Sequence, residues 1–368
     1  MIIGIPSEIK VQEHRVSMIP SSVGELTRRG HRVLVQKGAG VGASYPDDLY
    51  VAVGAEIVDS AEAVFAEAEL IVKVKEPQAS EVAMLNEQHT LFTYLHLAAD
   101  QTLTETLVNS GCTAIAYETI EVNGRLPLLE PMSEIAGRMS SIVGSYHLAK
   151  HRGGRGTLLG GVPGVAPGRV LVIGGGTAGV NAARVATGIG ADVSILEVDF
   201  DRMRFLDITM EGAHTVFSNE ANLADLLPRV DLVIGAVLVP GAKAPKLITR
   251  EMLRMMQPGS VFVDIAVDQG GCAETTRPTT HDDPTYVEEG VLHYCVANMP
   301  GAYARTATQA LNNCTQRWTT MIADQGVSQA CADRPELISG INCIKGQLTC
   351  GPVGEAHGMD SVDPSKLL

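Results

Sequence analysis

Short apolar runs alternate with longer amphipathic stretches along most of the chain. Residues 1–5, 31–36, 70–75, 90–96 and 113–119 read as strands, and residues 21–29, 61–68 and 101–109 between them read as helices. Alternation of this kind predicts a mostly parallel sheet with helices on both faces. Pro127 and Pro131 interrupt it, and residues 132–150 read as one long helix leading into a second series. That series opens after a glycine-rich link, residues 153–168, and continues with strand-like runs at 215–217, 232–237, 260–265 and 292–296. Helical sequence resumes at residues 305–323, and the tail to Leu368 shows no strand series of its own. Too short to fold alone, the tail is expected to return to the first domain.

Residues 169–199, RVLVIGGGTAGVNAARVATGIGADVSILEVD, open the second series and organise it. A β-branched run enters a turn with glycine at 174, 176 and 179, helical sequence follows, and a second apolar run ends in Glu197. Such glycines permit a tight turn, approach of backbone N–H groups to a pyrophosphate, and close packing of helix on strand. Glu197, 18 positions past Gly179, stands where an acidic side chain accepts hydrogen bonds from a ribose. The expected fold class is therefore α/β: two doubly wound domains, with a Rossmann NAD-binding domain (128–305) inserted into a discontinuous substrate domain of related architecture (1–127 and 306–368).

Composition narrows the partners. A formal charge of −14 argues against a nucleic-acid or anionic-membrane surface and leaves a small-molecule partner. No window reaches the roughly 20 apolar residues of a membrane span, and the start shows neither a secretory nor a transit pattern. Seven cysteines without CxxC spacing suit reduced thiols in the cytoplasm. No metal-ligand spacing is evident, and none is expected.

In open α/β sheets, ligands collect beyond the carboxyl ends of strands. Arg15 follows the first strand, Lys75 closes LIVKVK, His96 closes LFTYLH, and Asp268 follows VFVDIAVD. Each also has an ordinary structural explanation: solvated charges for the cations, a half-buried ring for His96, a turn residue before Gly270 and Gly271 for Asp268. Together they suit an oxo-acid substrate, since two cations hold a carboxylate and polarise a carbonyl while an imidazole passes protons near neutrality.

The chain resembles the family of alanine dehydrogenase, which also includes the soluble part of the membrane-bound nicotinamide nucleotide transhydrogenase. The resemblance rests on MIIGIPSEIK with EHRVSMIP, IVKVKEPQ, LFTYLHLA, PMSEIAGRMS, LLGGVPGVAPG, VIGGGTAG, VDIAVDQGGC and VANMPGA, in order and at fitting spacing. It implies reversible conversion of L-alanine, water and NAD to pyruvate, ammonia and NADH, by a homo-oligomer that in this family is a hexamer. It also implies that Arg15 and Lys75 hold the substrate and that His96 and Asp268 are the acid and base groups. For the cofactor it implies Ser133 beside the phosphate loop of Gly174, Gly176, Thr177, Ala178 and Gly179, with Glu197 on the ribose. Arg202 and Ser218 fall at the adenine end, and Val237, Leu238, Val296, Asn298 and Met299 around the nicotinamide. The chain departs from the family pattern in Tyr303 and Ala304, where Val-Pro is usual, and in Glu197, where aspartate is commoner. Two other readings stay open: a transhydrogenase subunit, which would not need the Arg15, Lys75 and His96 set, and an NAD-binding protein without turnover.

Overall fold

A computed structural model describes residues 1–237 and 244–368. The chain divides into two compact units, one formed by Met1–Met132 with Gly301–Leu368 and the other by Ser133–Pro300. In chain order the strands of the first unit's N-terminal part are β1 (Ile2–Ile5), β2 (Arg32–Gln36), β3 (Glu56–Val58), β4 (Leu70–Val72), β5 (Thr90–Thr93) and β6 (Thr113–Ala116). The second unit holds β7 (Arg169–Ile173), β8 (Asp192–Glu197), β9 (Ala213–Phe217), β10 (Leu232–Gly235), β11 (Val261–Asp264), β12 (Thr285–Glu288) and β13 (Val291–Tyr294). The tail adds β14 (Ile341–Ile344) and β15 (Gln347–Leu348).

Both sheets are wound the same way. The first runs β15-β14-β6-β5-β4-β1-β2-β3 and the second β12-β13-β11-β10-β7-β8-β9. In each, the first strand is central, the next two are laid to one side, and the fourth returns to the other side of the first. All of these neighbours are parallel. The central strands are short, apolar and covered on both faces, as a parallel sheet requires. Along β7 the pleat sends Val170 and Val172 into one core cluster and Leu171 and Ile173 into another, so each face of the sheet has its own apolar layer. The doubly wound α/β expectation is borne out.

Antiparallel strands at the sheet edges are the main departure from the pattern reading. β12 pairs with β13, and β14 pairs with both β6 and β15. Both hairpins turn through two residues of positive φ, Glu289 (51°) with Gly290 (79°) and Lys345 (52°) with Gly346 (72°). Such tight turns normally advertise themselves as Asn-Gly or Asp-Gly. Glu-Gly and Lys-Gly hide them. β3 also escapes the pattern, being only three residues, Glu56–Val58, of which none is fully buried. The long helix extends over Ala304–Asp333, beyond the expected end, and is broken at Gly326, where φ is 77°. Among the described residues no helix is long and apolar enough to cross a membrane, and no group of metal-binding side chains gathers.

Candidate functional site

A winding that starts centrally and then reverses leaves a crevice where the connections from the first and fourth strands diverge. In the first unit that point lies between β1 and β4, and the sequence after those strands carries Arg15 and Lys75. In the second it lies between β7 and β10, followed by the glycine loop and Val237. Each unit thus presents some of its candidate residues at its own switch point.

The candidate cations of the first unit are not solvated surface charges. Arg15 is 2% exposed and Lys75 6%. Arg15 is held by Glu13, whose Oε1 accepts from the backbone N (3.0 Å) and from Nε (2.7 Å), while Nη1 lies 3.1 Å from Met132 Sδ. Burial alone would lower the guanidinium's pKa; the Glu13 carboxylate outweighs it and raises it. The loop itself is fastened to the long C-terminal helix, since Val16 N donates to Thr308 Oγ1 (3.1 Å) and Ile19 N to Asn312 Oδ1 (3.1 Å). Asn312, unusual as a core residue of a helix, is thereby explained. Thr93 of β5 donates to Lys75 O at 2.8 Å, which fixes the chain beyond β4. Beneath it, Lys73 is enclosed by Glu81 (2.6 Å) and Glu8 (3.2 Å). Burial raises the Glu8 carboxyl despite that ammonium.

His96 does not close a strand as the pattern suggested. β5 ends at Thr93, and His96 lies three residues beyond in a left-handed conformation, φ 51° and ψ 34°, with a half-exposed ring stacked on Tyr94 at 5.9 Å between centroids. Histidine is among the few side chains that tolerate this region. Glu118, two residues past β6, accepts from His96 N (2.6 Å) and Leu95 N (3.0 Å). Glu76, next to Lys75, is shifted below the usual carboxylate range: burial works against the shift, and Lys75, Lys10 and His96 prevail. Glu13, Glu76 and Glu118 were not singled out from the sequence. Their partners are set by strand order, and only Glu13, two residues from Arg15, offered a local hint.

In the second unit the glycine loop is built as its spacing implied. Gly174 has φ 99°, and a Cβ there would sit 2.9 Å from Ala236 O; a Cβ on Gly179 would sit 1.8 Å from Gly174 O. Gly176, by contrast, faces open space. Thr177, Ala178 and Gly179 form the first turn of the helix Thr177–Gly188, whose leading N–H groups have no partners within the helix. That cradle fits a pyrophosphate. Glu197 ends β8 and binds the loop directly, Oε2 accepting from Gly175 N (2.8 Å) and Oε1 from Val198 N (2.7 Å). Arg202 Nε donates to Gly175 O at 2.7 Å, and Ser218 N to Glu197 O at 2.8 Å, so the candidates for the ribose and adenine end converge on this loop.

Val237 borders Gly174, whose added Cβ would meet its Cγ2 at 3.4 Å; Leu238 lies outside the described residues. Val296 and Met299 are buried, and Asn298 has φ 66° with its carbonyl 3.4 Å from His281 Nε2. Ser133 is half-buried near the start of the helix Glu130–His147. Asp268 is exposed in the turn Ile265–Gln269, which follows β11. Asp264 organises that turn: its carboxylate accepts from Ala266 N (3.0 Å), Cys272 N (2.9 Å) and Thr276 Oγ1 (2.6 Å). Burial nevertheless raises its pKa, and burial likewise drives the Cys272 thiol well above its ordinary value.

Fold and site together define a class, α/β proteins of two doubly wound units in which one carries a dinucleotide-type glycine loop and the other a buried cation pair with an imidazole. Family models described as "Alanine dehydrogenase/PNT, N-terminal domain" and "Alanine dehydrogenase/PNT, C-terminal domain" match residues 4–136 and 140–351. The chain belongs to the alanine dehydrogenase/PNT family. It is 54% identical to an alanine dehydrogenase of Halomonas elongata and 50% identical to one of Mycobacterium tuberculosis, each over 100% of both chains. Among solved structures it is similar to an L-alanine dehydrogenase (47% identity, TM-score 0.92, covering 97% of this chain and 99% of that one). It is also similar to a transhydrogenase from Sinorhizobium meliloti (25% identity, TM-score 0.79, covering 95% and 98%).

Proposed function

We propose that the protein is an alanine dehydrogenase, converting L-alanine, water and NAD reversibly to pyruvate, ammonium, NADH and a proton. The observation that carries this reading is the group beyond neighbouring strands of the first unit: two buried cations after β1 and β4 and an imidazole after β5, in a chain about half identical to alanine dehydrogenases along its whole length. A cofactor-to-cofactor exchanger has no carboxylate substrate for such cations to hold.

On this reading Arg15 and Lys75 bind the substrate carboxylate and carbonyl. NAD, when bound, accepts the hydride from the α-carbon. His96 and Asp268 hold and move the protons that accompany attack of water and departure of ammonia, a role that suits an imidazole paired with a carboxylate. The glycine loop takes the pyrophosphate. Glu197 accepts from the ribose through lone pairs not used by Gly175, Val198 and Asp199, and its charge, with that of Asp199, disfavours a 2′-phosphate, so the cofactor is NAD and not NADP. Ser133, Arg202 and Ser218 serve the phosphate and adenine end, and Val237, Leu238, Val296, Asn298 and Met299 the nicotinamide side.

The protein works in the cytoplasm, which suits seven free thiols, and as a homo-oligomer, for which the family resemblance implies a hexamer. Exposed Ile142 and Tyr146, four residues apart on one helix face, favour association. The test is NADH absorbance with L-alanine and NAD, then with pyruvate, ammonium and NADH. Turnover in both directions supports the reading, and cofactor binding without turnover of any amino acid overturns it.

A further inference from the structure

We propose that Glu118 is a positioning residue for His96: by accepting the backbone N–H groups of Leu95 and His96 it holds the imidazole-bearing residue in its left-handed turn. The inference deepens the proposed alanine dehydrogenase reading and rests on His96 having the proton-transfer role given above. One oxygen, Oε1, takes both Leu95 N (3.0 Å) and His96 N (2.6 Å), and Oε2 adds a longer contact to Leu95 N (3.2 Å). His96 Nδ1 is 3.9 Å from the same Oε1, beyond hydrogen-bond range, so the carboxylate holds the main chain and leaves the ring available.

Topology puts the carboxylate there. β5 and β6 are parallel neighbours in register Thr93↔Ala116, so the residues just past each strand meet at the sheet's carboxyl edge. The other supports of this loop fall on carbonyls, His96 O receiving Ala99 N at 3.1 Å. Leu97 O receives Asp100 N (3.1 Å), Thr104 Oγ1 (3.1 Å) and, from the tail, His357 Nε2 (2.7 Å). The Tyr94 hydroxyl donates to Leu128 O and so steadies the ring on which His96 stacks. Upstream of Leu97, Glu118 is what ties the left-handed turn to the next strand. An acid-base group displaced by an ångström loses rate while binding elsewhere continues.

The test uses the full chain and four substitutions, Glu118→Gln, Glu118→Asp, Glu118→Ala and His96→Ala. Glutamine keeps Oε1 as an acceptor for both N–H groups but removes the charge. Aspartate keeps the charge but withdraws the oxygens by one methylene. Expected are kcat within about threefold of wild type for Glu118→Gln and losses of about 10- to 100-fold for Glu118→Asp and Glu118→Ala, within the span of acid-base contributions. NADH affinity should stay within about twofold throughout, as expected for a group that supports only the chemical step. Adding Glu118→Ala to His96→Ala should cost nothing more, because the carboxylate acts through that histidine. Full activity in Glu118→Asp, equal damage in Glu118→Gln and Glu118→Asp, or multiplying losses in the double variant would each overturn the proposal. If Glu118→Ala does not fold, the contrast between glutamine and aspartate decides. If the wild type does not turn over alanine, the functional reading fails separately. The His96 ring resonances, assigned by their loss in His96→Ala, then decide the positioning role: they should move in Glu118→Asp and stay in Glu118→Gln, and the converse overturns it.

Discussion

Glu197 and Glu118 perform the same mechanical task in the two units. Each stands at or just past the carboxyl end of a parallel strand and accepts backbone N–H groups from the loop that follows the neighbouring strand. Both bonds span 22 residues, from Gly175 to Glu197 and from His96 to Glu118, the length of one strand–helix–strand step. In the second unit the clamped loop is glycine-rich and exposes backbone; in the first it holds a histidine and exposes an imidazole. One architecture therefore yields an open glycine cradle in one place and a histidine-bearing turn in the other, according to which residues fill the loop.

The comparison is broken most severely at Gly179. Gly179→Ala puts a methyl carbon against the Gly174 carbonyl, and neither backbone can yield; we expect several kcal/mol of lost stability and at least 100-fold weaker NADH binding, beyond the usual range for point changes. Gly176→Ala meets no atom within 4 Å and should leave the unfolding midpoint in urea unchanged. Similar midpoints for the two variants would mean that the loop is not held as described.

The first unit's counterpart is Arg15→Ala. It takes the guanidinium away from the Glu13 carboxylate, whose side chain is 0% exposed, and should cost about 3–5 kcal/mol as well as substrate affinity. Lys75→Ala should lower kcat/KM by about 10- to 150-fold with unchanged NADH affinity. A denaturant curve checks the first expectation and an NADH titration the second; unchanged stability in Arg15→Ala, or NADH binding weakened as much as kcat/KM in Lys75→Ala, would overturn them.

His96→Ala and Asp268→Asn should each lower kcat by about 10² while NADH still binds, and the double variant should lose less than the product. Single-turnover reduction of pyruvate with ammonium reads this directly. Independent, fully multiplicative losses would assign the residues to separate steps.

How much of this was legible follows from sequence distance. The glycine loop is local: three glycines, a preceding apolar run and Glu197 announce it within 31 residues of chain. Arg15, Lys75 and His96 stood out as candidates from their places at or after apolar runs, but Glu118 did not. No spacing rule names a carboxylate in AYET until β5 and β6 are known to be neighbours. The ion pairs Arg15–Glu13 and Lys73–Glu81 escaped for a related reason, since burial of charge depends on what the rest of the fold lays over it.

Smaller effects sharpen the picture. Glu197→Gln should reduce the preference for NAD over NADP by about tenfold or more in kcat/KM, as expected for losing one charged hydrogen bond together with a repulsion. An unchanged ratio would place the discrimination elsewhere. Least of all should Cys272→Ser matter. The thiol is fully buried, donates to Asp264 Oδ1 at 3.6 Å and is driven far from its reactive form, so most activity should survive, and alkylating reagents should leave the native protein active. Inactivation by alkylation at this position would require an opening of the turn.

The tail hairpin bears on how the chain acquires its structure during synthesis. β14 pairs Ile341 with Ile115, so the first sheet cannot be completed until nearly all of the polypeptide has emerged, whereas residues 133–300 can assemble from contiguous sequence. The interior unit should therefore be first to become protease-resistant on the ribosome, with β6 exposing an open edge in the meantime. Chains released before residue 341 would present that edge to one another. Premature termination should accordingly yield aggregates rather than a soluble half-protein.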